Sequence, residues 1–184
     1  MEMQRVWAMP SSETFNVKPI RSIVKFWLSK SKVSIDPFAR NKRWATHTND
    51  LNPDTKAEHH LDALDFLTLL AEGGIKADLL IFDPPYSPRQ ISECYQGVGR
   101  KVTTEDTQSS FYNKLKEAAC LVLTDDAVVI SCGWNSCGMG INRGFDLLSV
   151  LLVCHGTGHN DTIVTVEKKR PKEQNLFDAV PKQE

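Results

Sequence analysis

The sequence predicts an α/β sandwich, a mostly parallel sheet with helices on both faces and an antiparallel strand pair at its C-terminal end. Three observations predict it. Segments of helical period alternate with short apolar runs. One run, Ala77-Asp78-Leu79-Leu80-Ile81-Phe82, is apolar on both faces, as strands covered by two helix layers are. Near the C-terminus two strand-like runs, residues 145–154 and 162–168, flank the turn His155-Gly156-Thr157-Gly158-His159-Asn160-Asp161.

The elements follow in order. After Lys18-Pro19, the residues Ile20, Ile23, Val24, Trp27 and Leu28 recur at helical spacing, with Pro19 in the first turn, so a helix is expected there. Its Phe26 and Trp27 are expected in the core. Val33-Ser34-Ile35-Asp36 reads as a short strand closed by Pro37, and residues 45–50 as a second one ending at an acid. Residues 61–70 form the next helix, stopped by Gly73-Gly74. The buried strand then runs into Asp83-Pro84-Pro85-Tyr86. From Ser87 to Asp106 the chain is polar and glycine-bearing, which predicts a long loop. A helix capped at Asp106-Thr107 is expected through about residue 123, followed by a strand at 128–131 and a glycine-rich loop at 133–144. Residues 1–169 make one domain and 170–184 a loose polar tail.

Composition narrows the function classes. The 184 residues are 41% hydrophobic and 24% charged, enough for a proper core. No run of uncharged apolar residues is long enough to span a membrane, and the N-terminus lacks a signal-peptide core, so a cytoplasmic protein without membrane contact is expected. Five cysteines in the second half are expected as free thiols. The net charge of -1 conceals asymmetry: residues 1–43 carry nine Lys/Arg against three Asp/Glu, residues 44–86 two against eight. A basic segment of this kind can offer a polyanion one positive face.

The chemistry is concentrated at Asp83-Pro84-Pro85-Tyr86. It occupies the carboxyl end of a buried strand, where open α/β sheets bind ligands. Two prolines forbid helix and leave a carbonyl without local competition; Asp83 adds a second acceptor and Tyr86 a flat ring. Two acceptors beside an aromatic face suit a planar group bearing an amino function.

These residues resemble the signature of the S-adenosylmethionine-dependent DNA adenine amino-methyltransferases, the DPPY family, in its small phage-like form. The resemblance covers about residues 15–168 and implies a Rossmann-like class I methyltransferase sandwich. It implies that Asp83, Pro84, Pro85 and Tyr86 hold a flipped adenine for methylation of its 6-amino group. For the cofactor, S-adenosylmethionine, it implies Lys18-Pro19 on an adjacent helix and Asp36-Pro37-Phe38 at the start of the loop. Asp50 followed by Leu51 would meet the ribose, and Asp62-Ala63 the cofactor's adenine. One departure is evident: the family's loop reads Asp-Pro-Phe-x-Gly-x-Gly, whereas Arg40 and Lys42 occupy the two glycine positions here. Those residues resist the positive φ that glycine accepts. Alternatively Arg40, Lys42 and Arg43 line the mouth of the site and hold a carboxylate or phosphate.

DNA is the expected partner. A target-reading loop over residues 87–113, aided by the first seventeen residues and the 133–144 loop, would use Ser87, Arg89 and Gln90 near the flipped nucleotide and Arg100 and Lys101 on phosphate. So small a reading surface implies a short or degenerate target. Gln174-Asn175-Leu176-Phe177 resembles a bacterial sliding-clamp peptide. Three alternatives remain open: a methyltransferase of adenine in RNA or of a protein amide, a non-catalytic relative used for binding, and a zinc-containing nucleic-acid module built from Cys132, Cys137, His155 and His159. No metal is expected under the methyltransferase reading.

Overall fold

A computed structural model describes residues 1–103 and 109–171. Its sheet contains β1 (Glu2–Trp7), β2 (Ser34–Asp36), β3 (His47–Thr48), β4 (Ala77–Phe82), β5 (Leu123–Gly133), β6 (Phe145–Cys154) and β7 (Thr162–Lys169), in the order β1-β6-β7-β5-β4-β2-β3. All neighbours are parallel except β7, which runs antiparallel to both β5 and β6. The predicted sandwich and its C-terminal antiparallel pair are both present.

Alternation along the central strands explains the two layers. Leu80 and Phe82 of β4 and Val129 of β5 face one side, where they pack with Phe66, Leu67 and Leu70 of α2 (Ala63–Glu72) and Leu115 and Ala119 of α4 (Ser109–Leu121). Leu79, Ile81, Val128 and Ile130 face the other, against Ile20 and Val24 of α1 (Lys18–Leu28). Both faces of β4 are therefore buried, which is why its sequence lacks the polar alternation of a half-exposed strand. Truncating Leu80 to alanine would cost about 2–5 kcal/mol. Asp78, at the start of β4, accepts the backbone N–H groups of Lys32 and Val33 and the Ser31 hydroxyl, and so ties the turn after α1 to the sheet.

The topology also locates the site. From β2 the chain passes to β3 on one side, and from β4 to β5 on the other, so the strand order reverses between β2 and β4. Ligands of open α/β sheets bind outside the carboxyl ends of the strands at this switch point.

Five expectations are corrected. Residues 88–97 form a helix, α3 (Pro88–Gly97), not a loop: Ser87 is its N-cap, accepting the Gln90 N–H at 3.2 Å, Pro88 begins it, and Ile91 and Tyr95 bury one face. The N-terminal residues supply β1, which extends the sheet beside β6, in place of a purely target-reading arm. Phe26 is exposed on α1, its ring covered by the Lys30 ammonium at 4.1 Å and not by the core. The strand at 45–50 shrinks to His47–Thr48, and β5 extends well beyond residues 128–131. The expected cap Asp106-Thr107 and the clamp-like segment 174–177 lie outside the described residues. Among those described, no helix is long and apolar enough to cross a membrane.

Candidate active site

A cavity of about 650 Å³ opens at the switch point. Its walls come from Pro37, Phe38 and Arg40 after β2, Asp50 and Leu51 after β3, Asp62 and Ala63 at the start of α2, Asp83 to Tyr86 after β4, and Gln90 and Tyr95 of α3. The predicted turn and most of the predicted cofactor residues are thus brought together. Lys18 and Pro19 are not: they begin α1 outside the cavity wall.

The loop after β2 shows how arginine replaces glycine. Arg40 adopts φ 49, the left-handed conformation that glycine accepts without strain. Its N–H donates to Asp50 Oδ2 at 3.0 Å, and Asn52 N–H donates to the other oxygen, Oδ1, at 2.9 Å. The Arg40 guanidinium turns to the carbonyl of Ser12 at 2.6 Å, and Lys42 pairs with Glu13 at 3.2 Å. Both side chains therefore hold the segment that leads from β1 to α1. This segment crosses the strand ends: Ala8 is bound to the Cys154 carbonyl and the His155 ring, while Ser12 and Thr14 line the cavity. Arg43 is exposed.

Asp36 does not line the cavity. It is buried beneath the loop, where Oδ1 accepts the Phe38 N–H at 3.0 Å. Burial holds its carboxyl well above the ordinary range, and the neighbouring Asp83 and Asp50 carboxylates push it the same way. Phe38 packs edge-on against Phe82, which fixes the loop to the end of β4.

Contacts from several elements fasten the Asp-Pro-Pro-Tyr turn. The Tyr86 hydroxyl donates to Asp83 Oδ1, the Tyr112 hydroxyl of α4 donates to the Pro85 carbonyl, and the Tyr86 N–H donates to Gln90 Oε1 at 2.6 Å. Among the described residues no hydrogen bond ends on the Pro84 carbonyl. Burial raises the Asp83 carboxyl, an effect opposed by the Tyr86 and Thr14 hydroxyls and by the Arg40 charge. Burial also pushes the Tyr112 phenol up to about 12, so it stays protonated and a donor at neutral pH. The exposed Trp134, just past β5, meets the Tyr86 ring edge-on at 5.8 Å.

The remaining predicted residues have other employments. Asp62 caps α2 by accepting the Leu64 N–H, and its Oδ2 accepts the Tyr95 hydroxyl and an Arg100 N–H, each at 2.7 Å. Arg100 also lies over the Tyr95 ring at 4.4 Å, so it fastens α3 to α2 instead of presenting a bare cation. Arg89 pairs with Glu93 on the exposed side of α3, and Lys101 is exposed. Both ring nitrogens of His155 are engaged, by the Ala8 carbonyl and the Thr162 hydroxyl. Among the described residues, which include Cys132, Cys137, His155 and His159, no group of three or more His, Cys, Asp or Glu is placed to hold a metal.

Thr14, Tyr95, Tyr112 and Trp134 were not singled out by sequence. Trp134 alone had a usable signal, its place three residues beyond the strand predicted at 128–131, in the glycine-rich loop at the ligand-binding edge.

Comparison with known proteins adds to this geometry. No family model and no curated protein matches the chain. Solved structures do. NodS, an N-methyltransferase from Bradyrhizobium japonicum WM9, superposes with a TM-score of 0.56 at 8% identity, over 84% of this chain and 96% of that one. SMU.776 complexed with SAH gives 0.55 at 13% identity, over 80% and 49%, and NSun6 from Pyrococcus horikoshii with SFG gives 0.54 at 15%, over 82% and 52%. The chain spans about half the length of the latter two. At such identities the likeness is one of fold, and that fold is the Rossmann-like α/β sandwich of methyltransferases.

Proposed function

We propose that the chain is an S-adenosylmethionine-dependent methyltransferase that modifies the 6-amino group of adenine in DNA, taken from the duplex into the cavity. One observation carries this reading: the fastened Asp-Pro-Pro-Tyr turn opens on the switch-point cavity with the Asp83 carboxylate and the Pro84 carbonyl as neighbouring acceptors. An amino nitrogen conjugated to a ring is a poor nucleophile. Accepting its two N–H bonds at Asp83 and Pro84 would turn its lone pair out of conjugation and stabilise the positive charge it develops. A carboxylate offers about four lone-pair sites, so the Tyr86 hydroxyl leaves room for this bond. The Tyr86 ring, held by Asp83 and flanked by Trp134, would stack on the base.

The chemistry of the donor set fits the cofactor. Each Asp50 oxygen takes one backbone N–H and keeps a lone pair for a ribose hydroxyl. Phe38 and Leu51 supply apolar wall, and the positive φ at Arg40 gives the loop its turn. When bound, S-adenosylmethionine supplies an electrophilic methyl group on a sulfonium. Asp50 and Asp83 in the cavity wall favour a cationic ligand centre and disfavour phosphate inside it, so the nucleic-acid backbone would stay outside the cavity.

Incubation with radiolabelled S-adenosylmethionine and either DNA, RNA or no acceptor, followed by nucleoside chromatography, tests the proposal. Label in N6-methyladenine from DNA is expected. Label only in RNA would replace DNA by RNA as the substrate, and no label in any nucleoside would overturn the reading. Sequencing modified adenines in random DNA should show a context of no more than about four positions, because each base pair read needs contacts worth about 1–3 kcal/mol and one short helix delivers few of them.

A further inference from the structure

We propose that Gln90 reads the target base itself, donating from Nε2 to the ring nitrogen beside the amino group. The inference rests on the proposed adenine reaction and names a determinant of it. Ser87-Pro88-Arg89-Gln90 opens α3 as a capping box does, with Gln90 at the third helical position. In that motif the third-position side chain returns to the N-cap N–H. Here it reaches one residue further, and Oε1 accepts the N–H of Tyr86 at 2.6 Å.

This bond fixes the amide. A backbone N–H can only donate, so the atom facing it is the oxygen, and Nε2 with its two hydrogens is directed elsewhere. Gln90 lines the same cavity as Asp83 and the Pro84 carbonyl, and among the described residues no hydrogen bond leaves its Nε2. The residue type sharpens the point. Glutamate would serve the cap equally well through one oxygen and would suit the positive helix N-terminus better. What glutamine adds is the NH2, a neutral donor group beside a turn whose Asp83 carboxylate and Pro84 carbonyl are acceptors.

An adenine whose amino group is held by two acceptors presents a ring nitrogen acceptor on either side of that group, N1 and N7. A donor beside Asp83 completes an acceptor-donor pattern matched to N6–H and one of these nitrogens, the pairing by which amide side chains recognise adenine in general. Guanine and thymine, with a carbonyl in place of the amino group, would meet the carboxylate oxygen to oxygen.

The test uses Gln90→Glu at pH 8, which keeps the cap oxygen and removes the donor. Its melting temperature should stay close to that of the unaltered protein, whereas kcat/KM on adenine DNA should fall about tenfold to thirtyfold, the loss expected for one unmade hydrogen bond at a buried acceptor. Duplexes carrying 1-deazaadenine or 7-deazaadenine at the target supply the independent readout. The unaltered protein should lose affinity for one analogue, measured by anisotropy with the target opposite an abasic site, and Gln90→Glu should bind that analogue no more weakly than adenine. The analogue that behaves so identifies the nitrogen. If Gln90→Glu keeps kcat/KM within twofold, or loses equally on adenine and both analogues, Gln90 is only a cap and the inference fails alone. Failure of the unaltered protein to methylate any adenine would overturn the proposed reaction together with it.

Discussion

The two walls of the cavity solve the same problem in opposite ways. The loop after β2 has lost the glycines of the pattern it resembles, yet Arg40 holds the left-handed backbone that glycine would have adopted, and its N–H still reaches Asp50. The turn after β4 keeps every letter of its pattern, yet its conformation depends on Tyr112 and Gln90, neither of which belongs to it. In one wall geometry survives a change of residue; in the other, unchanged residues need support from outside the motif. A motif is therefore a statement about backbone and acceptor placement, and residue identity is one means to it.

The largest effect should come from the base wall. Asp83→Ala should lower methyl transfer by about 10²- to 10³-fold or more, while calorimetry with S-adenosylmethionine shows affinity within about threefold of the unaltered protein. In the proposed reaction the ionised carboxylate would hold the amino N–H more strongly than the neutral acid and offset the positive charge that nitrogen develops. Because burial raises the Asp83 carboxyl, the acid limb of kcat/KM should lie above the ordinary aspartate range, with activity lost as pH falls through it, and should vanish in Asp83→Asn. A profile whose acid limb survives that substitution would detach the limb from Asp83.

Asp50→Ala probes the other wall, and the pattern should invert. If Asp50 meets the ribose as proposed, its removal would cost about 1.5–3 kcal/mol, or roughly tenfold to 150-fold in affinity, and it also strands the Arg40 and Asn52 N–H groups. Cofactor affinity should fall while saturating cofactor restores most of kcat. Unchanged calorimetric affinity would take Asp50 out of the site. Tyr112→Phe is gentler: the lost bond to the Pro85 carbonyl is worth about 0.5–1.5 kcal/mol, so kcat should drop about threefold to tenfold with cofactor affinity constant. If both fall together, Tyr112 supports the whole cavity and not the turn.

How far these walls could be read from sequence depends on how local their causes are. The β4 strand, its terminal acid and the two prolines are contiguous, and so are the apolar periods of α1 and α2. The β1 strand gave little signal because only Val6 of its six residues is partly buried, the others being exposed on a sheet edge. The helix α3 was hidden by polarity, since Ile91 and Tyr95 alone are buried, although its Ser-Pro-x-Gln start was readable as a cap. Tyr112 lies 27 residues from the carbonyl it holds, and Thr14 is carried to Asp83 by a crossing segment. Contacts of that separation are set by topology, which no local pattern expresses.

Stability should separate the buried acid from the ligand-facing ones. Asp36 has a carboxyl raised in the folded protein, so folding favours its protonated form: that contribution is fully present below the unfolded aspartate range and is lost as pH rises through the raised value. Between those two ranges the unfolded chain loses its proton first, so the buried group costs stability at neutral pH relative to acid. Asp36→Asn keeps an oxygen for the Phe38 N–H and should raise the melting temperature at neutral pH, with the gain shrinking on acidification. A gain that is constant with pH would assign it to packing instead of charge.

The smallest effect is expected where the sequence departs most visibly. Arg40→Gly removes a left-handed non-glycine residue, whose strain is about 1–2 kcal/mol. It also frees the unfolded chain by roughly 0.5–1 kcal/mol and deletes the bond to the Ser12 carbonyl, worth about 0.5–1.5 kcal/mol. These terms oppose one another and nearly cancel, so the melting temperature should move little. Cofactor affinity should change by less than about threefold, because the backbone N–H that meets Asp50 is kept and the guanidinium is directed at Ser12. Calorimetry and thermal melting on the same preparation decide it. Affinity reduced tenfold would make the guanidinium a ligand, and affinity raised tenfold would make it an obstruction. In either case the wall would depend on the side chain at position 40 and not on its backbone, and the contrast between the two walls would no longer hold.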